Sequence, residues 1–217
     1  GETVVAGLKA SKDKKYVLAD ETQEKEIYGE KHILRRIRAA RDIPEINVRK
    51  GDLGGFIEKE GNLSHEGRCW VNGEAVVCMD AKVEQNAYVR GHAFVRGNAA
   101  IRGEAIIDDH AIVCDSASIG ENAMVYHEAV VGGRATVAGQ AMVSGDSGVF
   151  GNATVKDNAA IRGQAMVSGQ AKIEEYGMVT GQAYVTEQAV IRGCANIGEH
   201  IVVSGNTVVN KQEQAVK

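Results

Sequence analysis

The sequence predicts an all-β fold, a parallel β-helix built from six-residue repeats. Three observations predict it. From Val71 to Val209 a Val or Ile leads every hexad, 24 times without a break. The fifth residue of the 23 complete hexads is Ala in 19 of them, and the third is Gly in 13. Glycine is abundant, 26 of 217 residues, whereas Pro occurs once and Phe, Trp and Tyr are scarce. Gly does not recur every third residue beside Pro, which excludes collagen, and the interleaved Val, Ile and Ala exclude a flexible linker.

Within a hexad, Ala and the following Val lie two residues apart. A strand therefore points both inward, while the residue between them and the one after Val face out. So short a strand must turn at once. Gly, Asp or Asn at the third and fourth positions supplies the φ > 0 conformations that β-branched residues avoid. Three hexads per coil enclose a narrow triangular tube with Ala near the corners, Val or Ile mid-face and no room for aromatics. Twenty-four strands make eight coils, roughly 38 Å long at about 4.8 Å per strand spacing. The hexad Ile119-Gly120-Glu121-Asn122-Ala123-Met124 resembles the consensus of the hexapeptide-repeat superfamily. That resemblance implies a left-handed parallel β-helix, against the right-handed rule for ordinary parallel crossovers.

In chain order, residues 1–14 read as an extension and 15–70 as a small N-terminal β cap. Tyr16-Val17-Leu18, Glu26-Ile27-Tyr28 and His32 to Arg38 have short-strand character, and the ends of a solenoid need covering. Residues 31–50 carry seven Lys or Arg against two acids, which reads as a solvated edge. The run Gly51-Asp52-Leu53-Gly54-Gly55-Phe56-Ile57-Glu58, followed by Asn62 to Gly67 and Cys69-Trp70-Val71, resembles YdcK-type hexapeptide-repeat proteins of bacteria and phages. Members of that group are called acyltransferases mainly because of their fold. The β-helix then occupies 71–209, and 210–217 form a polar tail that should fray.

The net charge of −4 makes no electrostatic case for nucleic acid. No run of 18 apolar residues occurs, and the first 15 residues lack a leader-like apolar stretch; the expectation is no membrane association and a cytoplasmic protein. Cys69, Cys78, Cys114 and Cys194 show no CxxC spacing and read as free thiols. Cys78 and Cys114 fall in one column two coils apart, about 10 Å, too far for a disulfide, and read as packed at a subunit interface.

Because each face recurs every 18 residues, outward side chains stack into columns. One face presents Tyr88, Ile106, Met124, Met142 and Met178 just before the lead residue. A second presents Phe94, Ile112, Val130, Met166 and Tyr184, and the third is mostly polar. Apolar stripes several coils long exceed what a soluble monomer usually exposes. With the superfamily resemblance, which implies homotrimers, these ten residues are the expected oligomer interface.

The corner joining the two apolar faces concentrates titratable groups. All four histidines of the repeat fall there. His92, His110 and His127 stand on consecutive coils, with Glu74, Asp109, Glu128 and Asp146 beside them. Imidazoles among carboxylates suit a divalent metal, a catalytic general base or a solvated turn. The leading reading is a homotrimeric binding or scaffold protein whose inter-subunit grooves hold a small molecule, a nucleotide or a partner protein. In a phage setting that would be an inhibitor or sponge acting on a host nucleotide or host protein. The alternative, implied by the superfamily, is an acyl-CoA-dependent acyltransferase using His92, His110 or His127 as base, with CoA as its cofactor. The uninterrupted run of hexads counts against it, since such enzymes usually interrupt the coils with a loop that builds the site.

Overall fold

The computed structural model describes residues 14–211. All but Lys14 of the extension, and most of the 210–217 tail, lie outside the described residues. The hexads form a parallel β-solenoid of about nine coils with three sheets running its length. Apart from Val190–Gly193 and Val208–Lys211, of four residues each, the repeat strands are two residues long, and each pairs with the strands 18 residues before and after it where these exist. Ile106 stands between Tyr88 and Met124, Ile112 between Phe94 and Val130, and Ser118 between Ala100 and Thr136. The columns read from the sequence are therefore real ladders. Their inner halves, the Ala and the lead Val or Ile, are sealed from solvent along nearly the whole tube.

The corners follow one rule. The third residue of all 23 complete hexads has φ between +54° and +75°, and no fourth residue is in that region. The left-handed turn thus falls on one position rather than two. Ten of these 23 residues are not glycine, although an L-residue there is disfavoured by roughly 1–2 kcal/mol. Seven of the ten offset the cost with side chains that cap the next coil. Asp115 accepts the N–H of Gly133 at 2.8 Å, Glu121 that of Gly139 at 2.6 Å, and Glu187 that of Gly205 at 2.6 Å. Glycine is required where the next coil comes close: a Cβ on Gly139 would lie 2.6 Å from the Asp157 nitrogen.

The cap begins with an antiparallel hairpin of β1 (Tyr16–Ile27) and β2 (Glu30–Ala39). The Tyr16 and Ile27 segments, expected as separate short strands, belong to one strand of 12 residues. Next, β3 (Leu53–Ile57) pairs antiparallel with β2 and parallel with Val76–Val77. One sheet is therefore continuous from the hairpin to Val202–Val203. Leu63 bridges Val83 in parallel, so coiling starts before Val71 and exceeds the eight coils counted from hexads. Gly54 and Gly55 make this possible. A Cβ on either would sit 2.5 Å from a carbonyl of the following coil, that of Val71 or Ala75. Tyr16, Ile37, Ile57, Leu63 and Trp70 are fully buried at this end, supplying the large side chains that the tube excludes.

Candidate functional site

The histidine corner is exposed and splits into two parallel columns. His92 and His110 occupy the fourth position of successive coils, and their rings stack at 5.0 Å with planes 3° apart. Glu128 and Asp146 continue that column. His127 stands one residue earlier, in the left-handed position at φ +59°, below Asp109. The Asp109 carboxylate accepts the His127 backbone N–H at 3.1 Å and lies 3.9 Å from its Nε2. Tyr126 meets the His127 ring edge-on at 4.6 Å.

This arrangement limits the chemistry one chain can perform. The nitrogen lone pairs of an imidazole lie in its ring plane, and the His92 and His110 planes are stacked 3° from parallel, so in this arrangement they do not point at one ion. Among the described residues no three His, Cys, Asp or Glu side chains are grouped to hold a metal. Glu74 is engaged elsewhere. Its carboxylate accepts from Arg36 at 3.0 Å, and the same guanidinium pairs with Glu21 and donates to the carbonyls of Gly54 and Gly73. Arg36 thus staples the hairpin to the first turn of the corner. Glu128 and Asp146 have no ion-pair partner among the described residues.

The backbone singles out one stretch of this corner. Elsewhere the fourth residue of each hexad donates its N–H to the third-residue carbonyl of the next coil, as Glu74 does to Gly91, His92 to Asp109 and His110 to His127. The ladder resumes with Gln164 to Gly181 and Gln182 to Glu199, and the other two corners keep it throughout. Among the described residues only Glu128 and Asp146 break it. Ala129 and Ser147 also lack the turn bond that the other fifth residues of this corner make, as Ala99 and Thr207 lack it elsewhere. Two successive turns beside His127 therefore lack the backbone bonds that tie the other turns of this corner to the next coil. Nothing in the sequence announces this, because Gly145-Asp146 is an ordinary pair for a turn.

The two apolar faces differ in how much the chain itself covers. On the second face the hairpin folds over the first coils. Phe56, Val76 and Cys78 are buried in a cluster with Ile27 and Leu34, and Phe94 packs against it. Lys25 Nζ lies 4.0 Å above the Phe94 ring, and Tyr28 covers and hydrogen-bonds Arg96. Cys78 is accordingly enclosed within one chain rather than left at its surface. From Ile112 onward this face is open: Ile112 and Val130 are half-buried, Met166 and Tyr184 exposed. Gly148 interrupts the column, and Phe150 lies across the gap, where a Cβ on Gly148 would collide with its ring. The first face carries Tyr88, Ile106, Met124 and Met142 half-buried in consecutive coils, then buried Ala160 and half-buried Met178. Burial pushes the Tyr88 hydroxyl above its ordinary pKa.

Sequence reasoning passed over the polar interior of the cap. His32 Nδ1 contacts the Glu58 carboxylate at 2.8 Å, and Glu58 also accepts the Met79 N–H. Burial pushes Glu58 up, but the imidazole and the N–H outweigh it and hold the carboxyl below its usual range. Lys15 is fully buried against Cys69. Neither pair belongs to a repeat, so no column pointed to it. All four cysteines are free. No helix in the described residues is long and apolar enough to cross a membrane.

No protein-family model matches the chain, and no curated protein matches it.

Proposed function

We propose that the chain is a YdcK-type, left-handed hexapeptide-repeat protein that acts in the cytoplasm as a homotrimeric binding or scaffold protein. Three copies pack through the open parts of the two apolar faces, leaving grooves beside the histidine corners. Each groove takes a small molecule, a nucleotide or a loop of a partner protein. One observation carries the reading: the two turns that lose their coil-to-coil hydrogen bonds lie between the apolar faces and next to His127. Backbone N–H groups that a regular solenoid satisfies internally are there free to meet a ligand. The stacked pair His92 and His110, with Asp109, Glu128 and Asp146 alongside, supplies donors and acceptors around them.

Native mass spectrometry of freshly purified protein tests both halves. A trimer carrying extra mass is the expected result, and a strict monomer removes the grooves. Full ligand occupancy in a His92→Ala, His110→Ala, His127→Ala variant would move the site away from this corner. Acetyl transfer from acetyl-CoA, lost on changing one of these histidines, would replace the binding reading with the acyltransferase one.

A further inference from the structure

A buried lysine requires an explanation, because desolvating an ammonium is costly unless it is paired or neutral. Lys15 is fully buried at the start of β1, and Cys69 is fully buried 54 residues later, just ahead of the first regular coil. Lys15 Nζ lies 3.1 Å from Cys69 Sγ, 3.2 Å from the Glu66 carbonyl and 3.4 Å from the Gly67 carbonyl. Burial is the largest influence on both groups, pushing the Lys15 ammonium down and the Cys69 thiol up, both in the direction of a neutral pair. A neutral amine has two N–H donors and one lone pair. In that form the two carbonyls take the donors and the lone pair faces the sulfur, whereas an ammonium donates to Sγ as well.

We propose that Lys15 and Cys69 form a peroxide-sensitive covalent link, a sulfenamide between Nζ and Sγ that locks the cap to the solenoid. The thiol proton passes to Lys15, giving the thiolate that reacts. The thiolate attacks hydrogen peroxide and breaks its O–O bond, forming a sulfenic acid; the hydroxide released takes the proton back from Lys15 as water. The Nζ lone pair then attacks Sγ, the S–O bond breaks, and the hydroxyl leaves with an amine proton as a second water. In sum, one thiol, one amine and one peroxide give one S–N bond and two waters. Sulfur is oxidised and peroxide reduced by two electrons. The oxidant has a route. Segment 64–67 is half-buried to exposed, and clefts of about 260 and 310 Å³ border it at Gly67 and at Ser64. A local opening of this segment uncovers the pair.

The test is peptide mapping of the full chain before and after hydrogen peroxide, without reductant. The expected product is a tryptic species joining the peptides of Lys15 and Cys69, uncleaved at Lys15 and lighter by two hydrogens, about 2 Da. Dithiothreitol restores the separate peptides. Oxidation of Cys194, the most accessible cysteine, with Cys69 unchanged would overturn the proposal. So would sulfinic or sulfonic Cys69 beside an unmodified Lys15. The readout is made on the unaltered chain, so it does not depend on a variant folding; Lys15→Met, where it folds, should trap Cys69 as a dimedone adduct instead.

Discussion

Asn62 in the cap and Ser147 in the tube are buried on different terms, although the cap also holds buried nitrogens on His32, His65 and Trp70 that are unpartnered among the described residues. In the cap, Asn62 is fully buried and completely used: its side-chain oxygen accepts the N–H groups of Glu58 and Lys59, and its amide donates to the carbonyls of Met79 and Ala81. In the tube, Ser147 replaces the usual inward Ala, and its hydroxyl finds no partner among the described residues. The difference lies in where backbone hydrogen bonds go. Most tube coils spend their carbonyls and N–H groups on their neighbours and leave an inward polar side chain only saturated groups, whereas Ser147 sits on the stretch where its own N–H and that of Asp146 are unmatched as well. The irregular chain of the cap leaves backbone groups unmatched, and specific side chains such as Asn62, Arg36 and Tyr16 complete them.

Four experiments break or sharpen this contrast. Trp70→Ala empties the largest side chain of the capped end and should cost about 3–5 kcal/mol. Hydrogen exchange should accelerate in β1 and β2 while coils past Val131 keep their protection; uniform acceleration would show that cap and tube unfold as one unit. Gly139→Ala tests the corner rule inside the tube. With φ at +69° and the Asp157 nitrogen 2.6 Å from the new Cβ, a loss of roughly 1–3 kcal/mol is expected in denaturant melts. Gly205→Ala shares the strained backbone, but its nearest neighbour is 3.8 Å away, so it should cost less. Equal losses would mean that backbone strain alone decides.

Ser147→Ala should raise stability by about 1 kcal/mol, since it removes a buried hydroxyl without a partner. A decrease would reveal a hidden hydrogen bond in the tube. The smallest effect concerns acid. Because Glu58 is held below the ordinary carboxylate range, its contribution is complete above the unfolded value of about 4.3 and is lost as pH falls through the lower folded value. Trp70 fluorescence should report cap loosening in that window, and Glu58→Gln should flatten the profile. An identical profile in the variant would assign the acid sensitivity to other carboxylates.

The tube was legible because its constraints repeat. Val, Ala and a left-handed third residue recur every six positions, and stacking them by 18 placed Ile106 beside Met124 before any coordinates. The cap was legible only through Gly54-Gly55 and the run around them, whose reason is close approach to the next coil. The same columns located the histidine corner but not its geometry. One residue of offset separates His127 from the His92–His110 stack, and that offset decides what the rings can jointly hold. The unbonded turns at Glu128 and Asp146 were invisible because a missing hydrogen bond leaves no mark on residue type. Lys15 and Cys69 were invisible for a different reason: their contact spans an irregular segment without periodicity.

The corner rule also bears on how such a chain can change length. By length a coil is the natural unit to duplicate or delete, since most coils bury Ala and a Val or Ile at the same places. Its turns, however, are matched to the coil that follows: Glu121 needs the N–H of Gly139, and Gly139 in turn needs the close backbone of Asp157. Removing residues 122–139 would set Glu121 against Asp157, while removing 140–157 would set Gly139 against Glu175. Equal lengths of chain thus give unequal junctions, and the solenoid is a sequence of fitted joints rather than a stack of interchangeable bricks.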